Sequence, residues 1–106
     1  MIEEQKKAVV TSLNKLLDAL SLERFKYNDN LKSIEGAIQY IEMLKLDVDQ
    51  LDEQNSRFKP FNIFQVVSSI PRAFSDLLGP WQTMPAVHQR ALEASSLGGG
   101  YMRLYL

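Results

Sequence analysis

The chain has 106 residues, no cysteine and a formal net charge of −1, with 45% apolar and 24% charged residues. That is enough chain for one domain with a modest core. It excludes disulfides and thiolate metal centres, and it gives no whole-chain bias towards nucleic acid or an acidic substrate. Charge is nevertheless uneven. Residues 1–57 hold eight bases and eleven acids, a net −3, whereas residues 58–106 hold four bases and two acids, a net +2. The start, MIEEQKK, lacks the apolar core of a signal peptide, and no run reaches the ~18 apolar residues of a membrane span. The expected location is therefore cytoplasmic or inside a viral particle.

The first predicted helix covers residues 3–22. Ile2, Val9, Leu13, Leu16 and Leu20 form its apolar stripe, with Ala8, Val10 and Leu17 alongside. Glu3 and Glu4 suit the positive end of the helix dipole. ERFKYNDN then connects to the segment around which the chain is organised, residues 31–54. There Leu31, Ile34, Ile38, Ile41, Leu44, Val48 and Leu51 keep three-and-four spacing, widened by Ala37. Lys32, Glu35, Gln39, Glu42, Asp49 and Glu53 make the solvated side. Asn28, Asp29 and Asn30 offer turn and cap chemistry that argues against one continuous coiled coil. Gly36 interrupts this helix at a cost of about 1 kcal/mol relative to Ala, either as a tolerated glycine or to admit a close neighbour.

The two stripes match as an antiparallel hairpin when paired numbers total about 54. Leu20 then faces Ile34, Leu16 faces Ile38, Leu13 faces Ile41, Val9 meets Lys45 and Lys6 meets Val48. Lys6 and Lys7 come near Asp47 and Asp49, which offsets the poor placement of acids at a helix C-terminus.

Composition changes at Phe58. Five of the ten aromatic residues fall between Phe58 and Trp81. Asn62 and Gln65 have capping-box spacing, and Ser69 with Pro71 reads as a helix restart. Ile63, Val67, Ile70, Phe74, Leu77 and Trp81 carry the apolar spacing through that break, and Gly79-Pro80 is a stop. Thr83 caps a last helix with Pro85 in its first turn, running to about Leu97. Gly98–Gly100 is expected to end it as a hinge, and the alternating YMRLYL that follows has β character. A lone strand must dock to satisfy its backbone.

Chemistry is thinly supported. His88 has no histidine or cysteine co-ligands, so a surface or hydrogen-bonded role is expected. The acids at 47, 49, 52 and 53 lack the spacing and glycine of a calcium loop. Ser68, Ser69, Ser95 and Ser96 have only His88 as a base and no nucleophile elbow, so capping and loop roles are expected. Gly98–Gly100 lacks the Lys and Ser/Thr of a phosphate loop. Lys59, Arg72, Arg90 and Arg103 are too scattered for a nucleic-acid stripe. Lys45 interrupts the apolar stripe; its stem is expected to cover apolar surface, although a helical enzyme would place it in a pocket with carboxylates. No cofactor and no metal are expected.

The sequence therefore predicts an all-α protein with three parts. An antiparallel helical hairpin spans 1–57, short aromatic-rich helices span 58–97, and a glycine hinge with an extended docking peptide spans 98–106. The expected function is non-catalytic: a structural or assembly subunit of a larger protein complex, such as a virus or phage particle, or a homo-oligomer. The expected partner-binding residues are Phe58, Phe61, Phe64, Phe74, Trp81, Tyr101, Met102, Leu104 and Tyr105. Two other functions fit less of the sequence: an assembly chaperone or adaptor holding a client on the Phe58–Trp81 surface, and a small helical enzyme.

Overall fold

A computed structural model describes residues 2–26, 31–50, 67–79 and 84–105. The described residues form four helices and no strand: α1 (Ile2–Lys26), α2 (Leu31–Asp49), α3 (Ile70–Leu78) and α4 (Pro85–Tyr105). The molecule is all-α. α1 packs on α2 and α4, and α3 bridges the other sides of α2 and α4, which closes a four-helix ring. The long dimension is 45 Å, and the 25-residue α1, at about 1.5 Å per residue, runs along most of such a length.

α1 and α2 run antiparallel. Near one end the Lys6 ammonium donates to the Asp49 main-chain carbonyl at 3.0 Å, and towards the other Arg24 pairs with Glu35 at 2.9 Å. α1 continues four residues beyond the predicted end at 22. Its added turn lets Arg24 reach across to α2; the same turn buries Glu23, whose Oε2 has no hydrogen-bond partner among the described residues, a cost to the fold.

Val9, Leu13, Leu16, Ala19 and Leu20 of α1 meet Ile34, Ala37, Ile41, Leu44 and Val48 of α2 in one buried cluster. Val67, Ile70, Phe74 and Leu78 close it from the α3 side, and Met84, just before α4, closes it with Val87, Ala91 and Ala94 of α4. These four residues keep three-and-four spacing, with small alanines where the helix lies against its neighbours. Ile38 and Tyr40 are partly buried at its edge.

α3 starts where Ser69 and Pro71 predict. Ser69 occupies the cap position, proline falls in the first turn, and the Ala73 amide donates to the Ser69 carbonyl at 3.0 Å. The Ser69 hydroxyl does not cap its own helix; it pairs with the Tyr40 hydroxyl at 2.6 Å and so ties α3 to α2. Gly79 ends α3 with a positive φ of 61°, a conformation that favours glycine.

α4 departs from expectation. It runs through Gly98–Gly100 to Tyr105, so the hinge and extended tail expected there are helical backbone. Glycine is a poor helix former at about 1 kcal/mol per residue, but helix propensity is a weak prior and Met, Arg and Leu beyond the glycines are good formers. The helix expected after Thr83, with Pro85 in its first turn, is α4; Thr83 itself and the start of the short helix expected from Asn62 lie outside the described residues.

Candidate functional site

Among the described residues, five large apolar side chains still face outward once the core is closed: Leu22 on α1, Met43 and Leu46 on α2, Leu77 on α3 and Leu92 on α4. Scattered apolar residues are ordinary on a protein surface, so their grouping matters more than their number. Leu77 lies against α2, its Cδ2 3.5 Å from the position a side chain on Gly36 would take.

Leu22 belongs to a cleft between α1 and α4 of about 240 Å³, lined by Lys15, Asp18, Ala19, Leu22, Ala86 and Arg90. Arg90 is held by Glu93 at 2.9 Å on its own helix. The hydrogen bond from Arg90 holds the Glu93 carboxyl below the usual glutamate range against a smaller opposing effect of desolvation, with added help from the Arg90 charge, Gln89 and Lys15. The apolar floor is alanine and leucine, and the rim carries both signs of charge.

A larger cleft of about 410 Å³ lies at the opposite end of α1, lined by Lys6, Lys7, Val10 and Asp49. Lys6 is already committed there to the end of α2. Lys45 is half-buried and lines neither cleft.

Of the serines considered as nucleophiles, Ser69 is engaged with Tyr40, and Ser95 and Ser96 with backbone. Ser95 donates to the Leu92 carbonyl at 3.1 Å and Ser96 to the Glu93 carbonyl at 2.8 Å, the ordinary local bonding of serine within a helix. His88 is half-buried in α4. Among the described residues no three His, Cys, Asp or Glu side chains are grouped to hold a metal, and no helix is long and apolar enough to cross a membrane.

Of the nine residues predicted to bind a partner, Phe74 is fully buried and meets Tyr40 edge-on with ring centroids 6.4 Å apart. It is a core residue, as are its neighbours Val67, Ile70 and Leu78. Phe58, Phe61, Phe64 and Trp81 lie outside the described residues. Tyr101, Met102, Leu104 and Tyr105 share the last turns of α4, with their side chains outside the described part. Met43 and Leu46 were not among the residues predicted from the sequence: they stand off the main stripe of α2, and two apolar residues three apart on a polar side are a weak signal.

The sequence matches no family model, no curated protein and no solved structure.

Proposed function

We propose that this chain is a non-catalytic structural or assembly subunit of a larger protein complex, with a virus or phage particle as one setting, and that it works inside the cell or particle. The observation that supports this reading is the position of Leu22, Met43, Leu46 and Leu92. They remain on the outer faces of three helices after an apolar core has been closed beneath them. Apolar side chains grouped on one helix face, as Met43 and Leu46 are on α2, suit packing against another protein. The end of α4, carrying Tyr101, Met102, Leu104 and Tyr105, is proposed as a second contact, now as a helical element. Aromatic residues and Met are favoured at interface centres.

The test is fractionation of a tagged chain from the cells that make it. Elution with a complex much heavier than 12.1 kDa, and loss of that association on deleting 98–106, are expected. Elution as the free chain at native expression would overturn the reading.

A further inference from the structure

α2 carries a second seam on its outer side. Leu46 is 62% exposed and lies opposite the buried line of Ala37, Ile41, Leu44 and Val48; Met43, 53% exposed, stands beside it. Together with the exposed Gln39 and Gln50 they follow the four-three-four spacing of a coiled-coil contact. Acids border this seam. Glu35, Glu42 and Asp49 recur every seven residues along one edge, and Asp47 stands on the other. Glu35 is already paired with Arg24, and Asp49 shares a cleft with Lys6 and Lys7, so Glu42 and Asp47 are the acids that face outward beside Met43 and Leu46. No exposed residue from Gln39 to Gln50 is basic; Lys45 is half-buried on the core side of the acidic row.

We propose that this seam docks one amphipathic helix from another protein, with apolar residues at its contact positions and Lys or Arg on its flanks. Flanking charges set partner choice in such contacts. A second copy of the same seam would bring the acids beside it against one another, whereas a basic-flanked helix would meet Glu42 and Asp47, one on each edge, with opposite charge. The polar Gln39 and Gln50 bound the apolar part to two residues, which suits a reversible contact. This inference rests on the assembly reading and gives it a partner chemistry.

The experiment titrates the full chain against two labelled three-heptad peptides, followed by fluorescence anisotropy. Both peptides have Leu at their contact positions; one has Lys at the flanking positions and the other Glu. The Lys peptide is expected to bind at least about tenfold more tightly, and to weaken as salt rises. Leu46→Ser, a surface change without charge, should weaken it by about tenfold while circular dichroism stays unchanged. The double variant Glu42→Lys, Asp47→Lys should reverse the preference towards the Glu peptide. Equal binding of both peptides, or unchanged binding by Leu46→Ser, would overturn the proposal. So would self-association of the chain that Leu46→Ser abolishes, since a second copy would then be the occupant. The peptide arms speak only to the seam: their failure beside a chain still found in a heavy complex rejects the seam and leaves the assembly reading intact.

Discussion

Lys6 on α1 donates a hydrogen bond to the main-chain carbonyl of Asp49, the last residue of α2, at 3.0 Å. The contact answers a problem set by the sequence. α2 ends on Asp47 and Asp49 with no base in its last turn, so its carboxylates stand at the negative end of the helix dipole. An ammonium brought from the start of α1 supplies the missing positive charge and satisfies a carbonyl that has no partner within its own helix. Lys6→Met keeps most of the apolar stem and removes the charge. It is expected to lower stability by about 0.5–1 kcal/mol at low salt, with a smaller loss at high salt. Urea unfolding at two ionic strengths measures both.

Gly36 is a place where the fold leaves room. A side chain added there would meet Leu77 Cδ2 at 3.5 Å, an ordinary van der Waals contact, within the interior of a helix. Gly36→Ala is expected to raise stability by roughly 0.5–1 kcal/mol, by helix propensity and by restricting the unfolded chain. A loss of stability on denaturation would show that the α2–α3 approach is closer than this.

Phe74 joins α3 to the rest of the core. Its ring is fully buried and edge-on to Tyr40, whose hydroxyl also holds Ser69. Phe74→Ala is expected to cost about 3–5 kcal/mol, a large part of the total stability of a domain of this size. Phe74→Leu should cost less. If Phe74 instead served a partner, either change would weaken binding and leave the denaturation midpoint in place.

Glu93 has a pH signature. The Arg90 hydrogen bond favours its charged form, so its folded pKa lies below the unfolded one. The associated stabilisation is present above the unfolded carboxylate range and is lost as pH falls through the folded value. Both side chains are exposed, so the effect belongs in a side-chain titration rather than in global stability. Nuclear magnetic resonance titration should place Glu93 below the ordinary glutamate range and show an upward shift in Arg90→Gln. An unchanged value in that variant would remove Arg90 as the cause.

The helices were legible because their apolar spacing survives burial. Val9, Leu13, Leu16 and Leu20 on α1, and Ile34, Ile41, Leu44 and Val48 on α2, are read from periodicity and are buried. Ser69, Pro71 and Gly79 marked α3 because each meets a local backbone need. Ala8, expected alongside the α1 stripe, is exposed, whereas Ala19 and Glu23 are buried. One residue is 100° of helix, and which neighbour covers it is a tertiary matter. The continuation of α4 through three glycines was not legible, because local propensity there opposes the helix that forms. The outer seam was harder still, since Met43 and Leu46 belong to no stripe that folding requires.

The central claim is that four helices of one chain complete the core and leave apolar faces for other proteins. Its most direct test is the mass of the isolated chain in solution, by light scattering after size exclusion and combined with thermal unfolding. The account predicts a folded monomer of 12.1 kDa that unfolds cooperatively at a concentration-independent temperature. A stable oligomer whose unfolding temperature rises with protein concentration would contradict it, and would mean that the core is completed only between copies.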